Sequence, residues 1–119
     1  MSQTKLTLNI RRMGAQINII DIQGDVTGAA DAAFTDAYTQ ASAAKMIILN
    51  FTGLEYMNSS GIGLLVTLLI RAQRQGQKLT AFGLTDHYQE IFELTRLNEA
   101  IMLFASEPDA LASLNDSHS

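Results

Sequence analysis

At 119 residues the chain has room for one domain of ordinary size, roughly 100 to 200 residues, which excludes a multidomain enzyme. Hydrophobic residues make up 47% and charged residues 17%, enough to build a core and too little net charge for a disordered chain. There is no Cys, His87 and His118 are the only two His, and the formal net charge is -4; these exclude disulfides and thiolate chemistry, starve a multi-histidine metal site or a Ser-His-Asp triad, and argue against a phosphate-tracking nucleic-acid surface.

The opening MSQTKLTLNIRR lacks the basic segment, apolar run and cleavage site of a secretory signal, so a cytoplasmic home is expected. A first strand is predicted over Leu6 to Arg11, a turn over Met13 to Ala15 in which Gly14 fits, and a second strand over Ile17 to Gln23, closed by Gly24. From Ala30 the apolar positions Ala33, Phe34, Ala37, Tyr38, Ala41 and Ala44 recur at three and four residues, the spacing of one helical face. Met46 to Phe51 is a near-continuous apolar run of strand length and reads as the middle of a sheet covered on both faces. A second helix spans Ser60 to Gln75, with Gly76 just past its end. In it, Ile62, Leu64, Leu65, Val66, Leu68, Leu69 and Ile70 cover more circumference than one sheet contact needs, so part of this helix faces either a neighbouring helix or a partner. The run Gly61 to Ile70 is ten residues long, short of the roughly 20 that span a bilayer, and no membrane insertion is expected.

Lys78 to Phe82 is the next strand, and Tyr88, Ile91, Phe92 and Thr95 mark a face of a third helix, with His87 solvated in its first turn and given no role. Ala100 to Phe104 is a last strand whose Met102, Leu103 and Phe104 are assigned to the core; Pro108 then opens a short helix holding Leu111 and Leu114. Residues 1–114 form the expected domain and 115–119 a frayed polar tail. Strands alternating with helices after an opening hairpin give an α/β fold, a mixed sheet of about five strands with about four helices.

Between the central strand and the second helix lies the sequence Thr52-Gly53-Leu54-Glu55-Tyr56-Met57-Asn58-Ser59-Ser60-Gly61-Ile62-Gly63, read as a connection. Sites in parallel α/β folds gather at the carboxyl ends of strands, where the next helix offers unpaired backbone N–H groups. Either Asn58 or Ser59 caps the helix, and Gly61 and Gly63 leave room for another molecule to approach Ser59. Asp25, Thr27 and Asp31 cap or flank the first helix, and Tyr56 is either loop packing or a contact. No Gly-Lys-Ser/Thr follows, Val66 stands where a dinucleotide fingerprint has its third glycine, and neither serine has a glycine two residues before it, which removes phosphate-loop, dinucleotide and nucleophile-elbow readings.

The stretch ILNFTGLEYMNSSGIGLLVTLLIRAQRQGQKL, preceded by IDIQGDVTGAADAAF and followed by LTAFGLTDHYQEIFELTRLNEAI, resembles the STAS family, sulfate transporter and anti-sigma factor antagonist domains. Within it the chain most resembles the free-standing bacterial anti-sigma factor antagonists, and the most specific element is Asn58-Ser59-Ser60-Gly61-Ile62-Gly63. The resemblance implies a non-enzymatic partner-switching protein with no cofactor. Unphosphorylated, it binds an anti-sigma factor that is also a serine kinase and releases a sigma factor; phosphorylation switches it off and a serine phosphatase resets it. The phosphorylated residue maps to Ser59, and Asp25, Thr27, Asn58, Ser60, Gly61 and Ile62 map beside it on the docking face. Two residues depart from the family pattern: Asn58 replaces its Asp, and Thr27 replaces the second acidic residue of its Gly-Glu-Leu-Asp element. The alternative is a STAS docking module of another signalling or transporter complex, in which Ser59 is only a helix cap.

Overall fold

The structure, a computed structural model, describes residues 6–41 and 43–116. Five strands form one sheet in the order β1 (Thr7–Met13), β2 (Ile17–Val26), β3 (Met46–Met57), β4 (Lys78–Phe82) and β5 (Met102–Phe104). The opening hairpin pairs β1 and β2 antiparallel, and β2 through β5 are parallel neighbours. Helices α1 (Asp31–Ala41), α2 (Ser59–Arg74), α3 (Asp86–Leu94) and α4 (Glu107–Asp116) connect or follow the strands. This is the mixed α/β sheet expected from the alternation of periods.

The sheet is covered unequally. On one face Ile20, Ile22, Ile47, Leu49 and Phe51 pack with Phe34 and Tyr38 of α1, Leu65 and Leu68 of α2 and Phe92 of α3. On the other, Ile19, Met46, Ile48 and Phe82 meet Ala110 and Leu111 of α4. Met46 to Leu49 are wholly buried, because β3 is central and its side chains alternate between two apolar layers. Tyr38 donates its hydroxyl to Gln77 Oε1 at 2.7 Å, tying α1 to the segment before β4.

Four expectations are corrected. The segment from Thr52 to Met57 is strand, not connection: β2 itself continues to Val26, and the pairs Gln23↔Gly53, Gly24↔Leu54, Asp25↔Tyr56 and Val26↔Met57 extend the ladder past two register shifts. Continued pairing satisfies backbone groups that a loop would have to leave to water. The first helix is preceded by a separate 3-10 turn, Gly28–Ala30, and ends at Ala41, so Ala33 is exposed and Ala44 is buried beyond the helix. The last strand is shorter than Ala100 to Phe104, because Leu97–Glu99 forms another 3-10 turn before it. Finally, Met102 is 51% exposed and not core, whereas Leu103 and Phe104, half-buried, do pack against the core; β5 is an edge strand, with no further strand beside it among the described residues. At the carboxyl end α4 runs through Asp116; the side chain of Leu114 and residues 117–119 lie outside the described residues.

A polar clamp fastens α4. Arg11 donates to both carboxylate oxygens of Asp21 at 2.7 and 2.8 Å, and to Glu107 at 2.8 and 3.3 Å. Asn50 adds a 2.8 Å bond to Asp21. Burial by itself would push the Asp21 carboxyl up, but the hydrogen bonds from Arg11 and Asn50 and the Arg11 charge outweigh it and hold the group below the usual carboxylate range. Arg11 is raised, chiefly by its hydrogen bonds to Asp21 and then Glu107. A folded carboxyl below its unfolded value stabilises the protein fully above the unfolded pKa and loses that contribution as pH falls through the folded one. Urea midpoints measured from about pH 7 to about pH 3 are therefore expected to fall more steeply for the native chain than for Asp21→Asn. Parallel curves would show that Asp21 has no such linkage.

Candidate partner-binding site

The junction between β3 and α2 is built from three close fits. Asn58 is the cap: its backbone is extended (φ -101°, ψ -177°) and its Oδ1 accepts from Gly61 N–H at 2.9 Å, a bond worth about 1 kcal/mol. Its own N–H donates to Val26 O at 3.3 Å, so the cap is pinned to the end of β2. The alternatives left open by sequence thus resolve on Asn58, and Ser59 becomes the first residue of α2, with both Ser59 and Ser60 exposed.

Gly61 plays a different part from the one expected. A Cβ built there would lie 2.1 Å from Val26 O and 2.8 Å from its carbonyl carbon, well inside van der Waals contact. The missing side chain is filled by the protein's own β2 end, and Gly61 is buried. Gly63 is the open one, exposed and with nothing within 4 Å of the corresponding position. Gly28 completes the fit, since a Cβ there would meet Ser60 Cβ at 3.3 Å. The 3-10 turn Gly28–Ala30 therefore lies against the first turn of α2. The Ser60 side chain lies beside it, and Ser59 is exposed one residue earlier.

Of the other expected residues, Thr27 is half-buried and caps the 3-10 turn, its Oγ1 accepting from Ala29 N–H at 3.3 Å. Asp31 lies in the first turn of α1. Asp25 belongs to β2, half-buried opposite Tyr56. Tyr56 lies in β3, not in a loop, and is 50% exposed. Ile62 is half-buried against the core, and Leu65, Leu68, Leu69 and Ala72 are the buried side of α2. Val66 and Ile70 are 36% and 44% exposed. Spaced four apart after Ile62, they continue one helical row running from the turn that carries Ser59.

No acidic residue stands in the first turn of α2, while Arg71 and Arg74 occupy its last. The first turn of α2 thus carries no carboxylate of its own to compete with an added anionic group at the positive end of the helix dipole. Among the described residues no cluster of three or more metal-ligating side chains exists. No helix among them is long and apolar enough to cross a membrane. An open groove of about 450 Å³ lies elsewhere, over Asn9, Arg11, Asp21, Gln23, Asn50 and Thr52. Its charged groups, Arg11 and Asp21, are engaged with each other and with Glu107.

Sequence reasoning missed one residue at the junction. Tyr88 of α3 accepts from Met57 N–H at 2.9 Å, in a buried bond across 31 positions. In sequence it is only one apolar position of a helical face, and no local signal marks its hydroxyl.

The whole chain resembles several solved structures. The phosphorylated form of the Bacillus cell fate determinant SpoIIAA is 20% identical, with 91% of this chain and 99% of that chain covered and a TM-score of 0.68. An anti-sigma factor antagonist from Mycobacterium paratuberculosis is 13% identical over 93% of this chain and 95% of that one, with a TM-score of 0.77. A sulfate transporter family protein from Wolinella succinogenes is 17% identical over 87% and 88%, with a TM-score of 0.75. At these identities the likeness shows the fold alone. A family model described as "Mlab, STAS domain" matches residues 11–104, most of the chain, and the chain therefore belongs to the STAS domain family.

Proposed function

We propose that the chain is an anti-sigma factor antagonist which binds an anti-sigma factor with serine kinase activity, frees a sigma factor for transcription, and is switched off when Ser59 is phosphorylated. The observation that carries this reading is the division of labour at the α2 start: Asn58 supplies the cap, leaving Ser59 exposed at the first helical position. A serine serving only as a cap would stand one residue earlier. The exposed row of Val66 and Ile70 continues from the same turn and offers apolar area for docking. Two of the similar structures are SpoIIAA, an anti-sigma factor antagonist, in unphosphorylated and phosphorylated forms. Both forms resemble this chain, with TM-scores of 0.69 and 0.68, which supports reading the fold as one that exists with and without the modification.

In this reading the chain is substrate and ligand, not catalyst. Its replacements Asn58 and Thr27 reduce negative charge near Ser59 relative to the family pattern, so the kinase recognises the site with fewer acidic determinants, and a phosphate brings a larger relative change in local charge. A phosphate adds about -1.5 to -2 charges at pH 7. The α2 N-terminus tolerates them, whereas a partner carboxylate is repelled.

The test is to capture partners from native cytosol on the unmodified protein, add Mg-ATP, and map phosphate by mass spectrometry. Phosphate confined to Ser59 with release of the captured protein is the expected result. Stable capture with no phosphate after ATP would instead assign the chain to the docking class.

A further inference from the structure

We propose that Tyr88 is a positioning residue for Ser59, its hydroxyl holding the last residue of β3 so that the Asn58 cap and the Ser59 hydroxyl keep one geometry. The inference rests on the phospho-switch reading for its functional consequence, but its structural part stands on the hydrogen bonds of the junction.

The reason lies in how far β3 outruns its neighbour. On the β4 side its ladder ends at Asn50↔Phe82, yet β3 continues to Met57. Over that extension β2 pairs with one edge only, and among the described residues alternate backbone groups on the other edge have no strand to bond. At the very end the two edges divide: Asn58 N–H turns to Val26 O, and Met57 N–H turns the opposite way, to Tyr88. Met57 and Tyr88 are both buried, so an unpaired amide there would carry its full desolvation cost. Tyr88 meets that need from α3, whose helix is anchored independently by Phe92, wholly buried and edge-on to Phe51 at 6.3 Å.

The next residues are the site itself. Asn58 follows Met57 directly, and its side chain must reach Gly61 N–H to cap α2. A shift of the Met57 peptide thus displaces the cap, and with it the direction of the Ser59 hydroxyl. Gly61 against Val26 restrains α2 from the β2 side; Tyr88 restrains the entry to α2 from the α3 side. Reactions that need a hydroxyl in line with a phosphoryl donor are sensitive to displacements of about 1 Å.

Tyr88→Phe keeps the ring and removes only the hydroxyl. Amide hydrogen exchange, followed by NMR on the native chain and on Tyr88→Phe, is expected to quicken about tenfold or more at Met57 and Gly61, while Leu49 in central β3 and Ala81 in β4 keep their native rates. A general loss of stability would speed all four together. Uniform acceleration, or unchanged rates at Met57 and Gly61, overturns the positioning role. With the kinase captured by the native chain, Tyr88→Phe is further expected to lower kcat/KM for Ser59 phosphorylation about tenfold, through kcat with little change in KM; equal kcat values overturn the functional half. If the native chain takes no phosphate at Ser59, the phospho-switch reading fails, and the exchange measurement still decides whether Tyr88 holds the junction.

Discussion

Gly61→Ala is expected to destabilise the fold by about 2 kcal/mol or more, despite the helix propensity of alanine, which by itself favours the substitution by about 1 kcal/mol. The reason is the position of the new methyl, 2.1 Å from Val26 O and 2.9 Å from Val26 Cγ1. A long side chain swings away from such a contact, but a carbonyl within a paired strand does not. Either α2 lifts from the end of β2, breaking the Asn58 cap, or the Val26–Met57 pairing opens. Gly63→Ala is the control. It lies two residues on in the same helix with nothing within 4 Å of its Cβ position, so it is expected to stabilise by about 0.5 to 1 kcal/mol. Urea denaturation of the two variants reads both signs. Equal stabilisation by both would mean that α2 does not sit on the β2 end as described.

Ser59→Asp is expected to weaken binding of the captured kinase about tenfold or more while leaving the fold intact. A charge at the first position of α2 meets the positive end of the helix and adds roughly 0.3 to 1 kcal/mol of stability. Across the interface the same charge acts against the partner: at about 6 Å and an effective dielectric of about 20, repulsion from one carboxylate is about 3 kcal/mol before screening. Since about 1.4 kcal/mol is tenfold in affinity, a half-screened effect already suffices to release a partner. Ser59→Ala should bind like the native chain and accept no phosphate. Calorimetric titration of the kinase with all three proteins makes the comparison, and a dissociation constant for Ser59→Asp within about twofold of native would end the case for an electrostatic switch.

The two experiments address neighbouring residues with opposite demands. Gly61 is constrained from inside the molecule and tolerates no added atom. Ser59 faces outward, so its substitution acts on whatever docks there. Rising salt should therefore narrow the difference between Ser59→Asp and native binding without altering the cost of Gly61→Ala, because packing is not screened.

Much of this was legible in the order of residues. Alternation and apolar runs located β2, β4 and the buried first half of β3, and the three-and-four spacing of Phe34, Ala37, Tyr38 and Ala41 located the inner face of α1. These features are local, arising from the periods of strand and helix, and a single chain displays them in full. The Asn58-Ser59-Ser60-Gly61-Ile62-Gly63 element likewise marked the junction, because a helix start has its own residue preferences.

Pairing across the fold decided what sequence left open. Thr52 to Met57 looked like connection because Gly53 interrupts it and its apolar pattern is weak; β2 running on to Val26 made it strand. Gly61 carries the same local signal as Gly63, yet only the approach of Val26 O separates a position where an added methyl clashes from one where it is free. Arg11, Asp21 and Glu107 meet from β1, β2 and α4, and Tyr88 reaches Met57 from α3. Composition alone established a small acidic domain without thiols and nearly without histidine. Where that domain presents a hydroxyl, and what holds it there, depended on contacts between residues tens of positions apart, whose identity no local period records.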